Sequence, residues 1–202
     1  MPTRDADASW ERPSLAGRAL ENLRFIRQTM ERAGGFTAVP GSGAVLMGIT
    51  AFFAAAAAQK AATQTGWLAL WGCEALLAAA IGLLSMAAKS RRSQLSLLGT
   101  PARRFFRSLL PALAAGAVLT VFLVHRQDYG MLPGIWLLLY GAAALGAGAA
   151  SVRLVSLLGA CFMAAGTAAL FSPSAWGNLW MALGFGGINI FFGILVWREY
   201  GE

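Results

Sequence analysis

The sequence predicts an all-α protein, a polytopic bundle of six transmembrane helices. Of its 202 residues, 57% are hydrophobic and only 12% are charged, and the charges are excluded from long blocks. Residues 33–59, 129–152 and 154–197 contain no charged side chain. A helix of about 20 apolar residues crosses the hydrocarbon core of a bilayer, and it satisfies its own backbone hydrogen bonds where no water is present. The sequence therefore predicts a multi-pass integral membrane protein.

The segment before the spans is more polar. Residues 1–12 have charges of both signs and few apolar side chains that could be buried, which predicts a disordered tail. Over residues 13–35, apolar side chains recur at spacings of three and four, which predicts an amphipathic helix that ends at Gly34-Gly35. Two interpretations stay open. The helix docks a cytoplasmic protein partner or a second copy of the chain, or it lies on the membrane surface as an anchor.

The transmembrane domain is predicted over residues 43–197, followed by a cytoplasmic tail over 198–202. The block 154–197 is too long for one crossing. It turns at Ser172-Pro173-Ser174, because proline lacks a backbone N–H and serine favours local side-chain bonds. The six predicted helices span residues 43–60, 66–88, 105–124, 132–150, 153–171 and 176–197.

Lysine and arginine predict the orientation of the spans. Fourteen of the 16 lie on one side of the predicted helices, and the exceptions are Lys60 and Arg126. This positive-inside bias predicts that both termini are cytoplasmic. The net charge of +7 then faces anionic lipid and requires no nucleic acid. Tryptophans near the predicted outer helix ends agree, as an aromatic belt, and these are Trp67, Trp71, Trp136, Trp176 and Trp180.

Helices 4 to 6 are rich in glycine and alanine, which let helix backbones approach closely in lipid. The sequence predicts tight packing there without a GxxxG dimer motif. Gly184, Gly186 and Gly187 weaken the middle of helix 6. The segment is either a broken helix that exposes carbonyls to a ligand or a site of simple close packing.

Four segments carry a resemblance to known proteins: ENLRFIRQTMERAGGFTAVPG, GIWLLLYGAAALGAGAASVR, LLGACFMAAG and WMALGFGGINIFFGILVWREYG. They resemble a group of uncharacterised, six-helix, multi-pass bacterial inner-membrane proteins, which implies a location in the bacterial inner membrane. The resemblance also implies six helices and a cytoplasmic N-terminal helix, and it implies no activity.

Glu74 is the one charged residue within residues 61–88. If Trp67 marks the interface, Glu74 lies about 10 Å deeper along the helix. An acid at that depth is costly unless it faces the bundle or is protonated. It is therefore either a proton or cation site that opens outward, or a structural acid that is neutral or paired with His125 or Arg126.

Other polar residues are weaker candidates. Asn189 near the middle of helix 6 predicts an interhelical hydrogen bond or a ligand contact. His125, close to Arg126 and Asp128, is a solvated histidine or a pH sensor. Six cations around the second loop either set the topology or contact anionic lipids at the cytoplasmic face. They are Lys89, Arg91, Arg92, Arg103, Arg104 and Arg107.

No motif indicates catalysis, a metal or a cofactor. The chain has one histidine, no zinc-ligand spacing and no G-K-S/T phosphate loop. Cys73 and Cys161 lie within spans and are expected to be buried thiols. The sequence predicts a non-enzymatic, membrane-embedded interaction or regulatory module. The alternative is a small proton- or cation-coupled transporter or channel centred on Glu74.

Overall fold

The computed structural model describes residues 22–23, 40–92, 100–148 and 153–200. The chain divides into two compact units, Met1–Gly34 and Gly35–Glu202. In the first unit, Asn22 and Leu23 are helical and exposed. The predicted tail over residues 1–12 and the remainder of the predicted helix over 13–35 lie outside the described residues.

The second unit contains six helices that are long and apolar enough to cross a membrane, and this confirms the predicted number. The first five are α1 (Gly41–Ala58), α2 (Gln64–Arg92), α3 (Thr100–His125), α4 (Leu132–Gly148) and α5 (Arg153–Leu170). The sixth, α6, runs through Gly177–Met181, a π-helical segment Ala182–Ile188, and Asn189–Tyr200. Short 3-10 turns, Tyr129–Met131 and Ser174–Trp176, precede α4 and α6. The described residues contain no strand.

Two helices are longer than predicted. The spans 66–88 and 105–124 become Gln64–Arg92 and Thr100–His125. An apolar block marks only the part of a helix that lies in hydrocarbon, and the helix itself can continue among polar headgroups. The turn predicted at Ser172-Pro173-Ser174 is present, because α5 ends at Leu170 and α6 begins at Gly177.

The helices pack as antiparallel neighbours. The first helix, α1, packs against α2 and α6, and α4 packs against α3 and α5, while α2 and α3 bury the smallest share of their spans. One end of the bundle holds the N-termini of α2, α4 and α6 with Trp67, Trp71, Trp136 and Trp180, and we call it the tryptophan end. The other end holds Arg91, Arg103, Arg153 and Arg198, and we call it the arginine end.

Glycines seven residues apart line the two closest helix pairs. A Cβ added at Gly141 of α4 would lie 2.7 Å from the carbonyl oxygen of Gly159 of α5, and one added at Gly159 would lie 2.5 Å from the backbone nitrogen of Leu145. Seven residues are close to two helical turns, so each repeat keeps one face. The repeats are Gly134, Gly141 and Gly148 against Gly159 and Gly166, and Gly41 and Gly48 against Gly186 and Gly193. This spacing is the packing signal that a search for GxxxG does not detect.

The glycine-rich middle of α6 is widened rather than broken. Residues Ala182–Ile188 form a π-helix that continues into α-helix on both sides. A Cβ added at Gly48 of α1 would lie 2.6 Å from the carbonyl oxygen of Gly186. Of the two interpretations of this segment, the contact of Gly186 with α1 favours close packing.

Cys73 and Cys161 are free and exposed on the surface of the bundle. The expectation that they are buried is wrong. In a bilayer the outer surface of a span is apolar too, so composition alone does not distinguish a residue that faces lipid from one that faces a neighbouring helix.

Candidate functional site

Glu74 faces α1 and has a defined partner there. The residue is buried, with 8% of its surface exposed. The hydroxyl oxygen of Thr50 on α1 lies 2.8 Å from Glu74 Oε1 and 2.9 Å from the backbone carbonyl oxygen of Met47. The contact joins two helices one turn below Trp71, where the sequence placed the acid, and Thr50 is a partner that the sequence did not identify.

The number of hydrogens available at this contact favours a neutral, protonated Glu74. A hydroxyl group has one hydrogen to donate, and Thr50 Oγ1 is within bonding distance of two acceptors. A protonated Glu74 donates to Thr50, which then donates to Met47, so both contacts become hydrogen bonds. An ionised Glu74 leaves Thr50 to share one hydrogen between two oxygens. The geometry therefore fits a carboxylic acid better than a carboxylate.

The two residues proposed as ion-pair partners of Glu74 are exposed, whereas Glu74 is buried. His125 and Arg126 are both exposed at the C-terminal end of α3, beside the exposed Asp128. The hydrogen bond that the structure gives Glu74 is the one to Thr50.

Asn189 is buried at the point where the π-helical segment of α6 returns to α-helix. Its side-chain amide donates to the carbonyl oxygen of Phe185, four residues earlier, at 2.9 Å. Side chains commonly satisfy backbone groups displaced by a helix irregularity within a membrane. This bond is within α6, whereas the sequence predicted a bond between helices or a ligand contact.

The six basic residues around the second loop differ in exposure. Arg91, Arg103 and Arg107 are exposed at the arginine end, as a lipid contact requires. Lys89 is buried, with 6% of its surface exposed, so its contacts are with protein. The side chains of Arg92 and Arg104 lie outside the described part of the chain.

The tryptophan end is organised by Asn178, a residue that sequence reasoning missed. Its side-chain oxygen accepts hydrogen bonds from the indole N–H of Trp67 at 3.2 Å and of Trp71 at 3.1 Å. Its amide donates to the carbonyl oxygen of Ala55 at 2.8 Å, so one side chain joins α1, α2 and α6. The signal available in the sequence was an asparagine in the first turn of an apolar span.

Other indoles at this end are also hydrogen-bonded within the protein. Trp136 of α4 donates to the Thr120 hydroxyl of α3 at 2.9 Å, and Trp180 of α6 donates to the Ser172 hydroxyl at 3.0 Å. The tryptophans of the predicted aromatic belt therefore also form hydrogen bonds between helices. Trp176, by contrast, is exposed.

A cavity of about 470 Å³ opens above this hydrogen-bonded layer. Its walls come from the start of α2, the α3–α4 connection and the start of α6. The lining side chains include Trp67 and Tyr129, the polar residues Gln64, Gln127, Ser174 and Asn178, and one charged residue, Asp128.

The α3–α4 connection, which forms one wall of the cavity, has a strained backbone at Gln127. Gln127 has a φ of 59°, the left-handed region that glycine usually occupies after a helix. The N–H of Asp128 donates to Leu123 and the N–H of Gln127 to Val124, which completes a Schellman-type helix end. A non-glycine residue in this conformation costs about 1 kcal/mol, and such outliers concentrate at functional sites.

Among the described residues, no group of three His, Cys, Asp or Glu side chains could hold a metal ion. Comparison of the chain with protein-family models, curated proteins and solved structures finds no match.

Proposed function

We propose that the chain is a non-enzymatic, multi-pass protein of the bacterial cytoplasmic membrane that acts as an interaction or regulatory module. Its termini are cytoplasmic, and it belongs with the six-helix bacterial proteins that its segments resemble. The helix over residues 13–35 contacts a cytoplasmic protein or a second copy, and the arginine end faces anionic lipid.

One observation carries this proposal: the helix pairs are closed by backbone contact through glycine. Gly141 and Gly159 bring α4 and α5 together, and Gly48 and Gly186 bring α1 and α6 together. Buried polar side chains in the described spans are few, namely Glu74, Lys89, Ser90 and Asn189. Glu74 and Lys89 are separated by about 22 Å along α2, at 1.5 Å per residue. A tightly packed bundle of this kind suits a scaffold better than a permeation path.

The test compares proteins captured by the full chain in native-lipid nanodiscs with those captured by a chain lacking residues 1–34. We expect one partner, or a second copy, to be lost on deletion and on Leu23→Glu, which charges the predicted apolar face. The matched control Glu21→Ala, on another face, should retain it. An identical set of captured proteins for all four chains would contradict the proposal.

The alternative, a proton- or cation-coupled transporter, is favoured by the burial of Glu74 one turn below Trp71. It predicts proton or cation flux in liposomes that Glu74→Gln abolishes. Proton or cation flux that Glu74→Gln abolishes would support the transporter and contradict the interaction module.

A further inference from the structure

The open cavity at the tryptophan end has the size and the charge of a ligand site. Small-molecule sites measure about 300–1,000 Å³ and combine apolar walls with a few fixed polar groups. The cavity of about 470 Å³ falls within this range. Three separate parts of the chain converge on it, so its shape depends on the folded bundle.

The charge of the lining points to a cation. Lys60, Arg126 and Asp128 are all exposed charged residues of the α1–α2 and α3–α4 connections, and of these three Asp128 lines the cavity. In the part of the chain that the structure describes, no lysine or arginine lines it. Against these described residues, an anion would meet a carboxylate with no compensating cation, and a purely apolar ligand would cover that carboxylate without pairing it.

The aromatic lining points to an organic cation rather than a metal ion. Trp67 is half-buried, so its ring has limited freedom and keeps an accessible part, whereas Tyr129 is buried in an apolar cluster with Leu123 and Leu132. The hydrogen bond from Trp67 to Asn178 further restricts its indole. Aromatic faces attract alkylammonium groups, whereas a metal ion requires several oxygen ligands and finds one carboxylate here.

Asp128 lies beside a close contact between two segments that line the cavity. A Cβ added at Gly130 would lie 3.0 Å from the Cβ of Ser174 and 3.9 Å from Asp128 Oδ1. The carboxylate thus adjoins the contact between the α3–α4 connection and the start of α6. The strained conformation of Gln127 immediately precedes it and sets the direction of the chain there.

We propose that this cavity binds a small organic cation of the alkylammonium class, with Asp128 as the counter-ion and Trp67 as the aromatic wall. The site goes beyond the interaction module proposed above, because it lies at the tryptophan end and is argued from residues 64–178 alone.

The experiment measures binding of choline to the full chain in nanodiscs by calorimetry and tryptophan fluorescence. The comparison ligand is 3,3-dimethylbutan-1-ol, which has the shape of choline with carbon in place of the charged nitrogen. We expect choline to bind about tenfold more tightly than the neutral alcohol, because the alcohol has no charge to pair with Asp128 and makes no cation–π interaction. Asp128→Asn should remove this preference, and Glu199→Gln, an exposed acid at the arginine end, should preserve it.

Two further variants separate the aromatic wall from the structural role of Trp67. Trp67→Phe keeps a ring but loses the N–H that binds Asn178, and it should retain most of the preference for choline. Trp67→Leu should lose it. Equal affinity for choline and the neutral alcohol, an unchanged preference in Asp128→Asn, or no binding of choline would each overturn the proposal. None of these outcomes bears on the capture of a partner through residues 1–34.

Discussion

At the scale of the residue, the polar side chains within the spans act through local geometry. Glu74 meets Thr50, and Asn189 meets the carbonyl oxygen of Phe185. Each contact supplies a buried polar group with a partner that lipid does not provide. The position of Thr50 between Glu74 and Met47 fits a proton on the acid, and this has measurable consequences for stability.

We expect Glu74→Gln to be close to the parent in thermal stability, because the amide can donate to Thr50 as a protonated acid does. Glu74→Ala should cost about 1 kcal/mol, since it loses the hydrogen bond. Thr50→Val, which keeps the shape of the side chain, should cost a similar amount, and the double variant should not be additive. The measurement is the melting temperature in detergent.

The opposite result is equally well defined. An ionised Glu74 would be left without its donor in Thr50→Val, and removal of a partner from a buried charge costs about 3–5 kcal/mol. A cost of that size for Thr50→Val, together with clear destabilisation by Glu74→Gln, would contradict the neutral acid.

At the scale of the element, the glycine repeats determine which helices touch. A methyl group at Gly141 or Gly159 would meet backbone atoms, which cannot move aside as a side chain does. The π-helical segment of α6 is part of the same packing, since Gly186 within it faces α1. Close backbone approach stabilises helix pairs in lipid. The hydrophobic effect does not drive helices together there, because lipid tails are as apolar as the helix surfaces.

Gly141→Ala and Gly159→Ala should each destabilise the bundle by about 1–3 kcal/mol, the usual cost of overpacking. Gly72→Ala and Gly187→Ala are matched controls, because a Cβ at either position meets nothing within 4 Å. Both controls should be neutral or slightly stabilising, since alanine favours helix over glycine. Equal melting temperatures for all four variants would refute the packing assigned to the repeats.

At the scale of the whole molecule, the bundle has two chemically different ends. Most tryptophans, Asn178 and the cavity occupy one end, and the exposed arginines Arg91, Arg103, Arg107, Arg153 and Arg198 occupy the other, whereas Arg126 lies at the tryptophan end. The positive-inside rule predicts that the arginine end is cytoplasmic. The exposed residues Gln64, Ser174 and Glu199 mark the two ends for an accessibility experiment.

In a background with Cys73→Ala and Cys161→Ala, new cysteines at Gln64 and Ser174 should react with an impermeant maleimide on intact spheroplasts. A cysteine at Glu199 should react only after lysis. Asn178 is unsuitable for labelling, because it bridges three helices. Reaction at Glu199 but not at Ser174 in intact cells would reverse the orientation.

The number of spans and the turn between the last two could be predicted from the sequence, for a local physical reason. Exclusion of charge from hydrocarbon acts on each segment by itself, and so does the length needed to cross it. The position of Glu74 along α2, two turns from Trp67, also follows from the sequence alone. None of these properties depends on which helices are neighbours.

The partner of Glu74, the bridge at Asn178 and the cavity were decided only by the tertiary structure. Trp67 and Asn178 are 111 residues apart along the chain, and they meet because α2 and α6 pack against the same helix, α1. In a soluble protein, the apolar face of a helix indicates which side is buried. Here lipid is as apolar as the protein interior, so the hydrophobic pattern does not reveal the buried face. Close contact between backbones and hydrogen bonds between distant side chains select the neighbours instead.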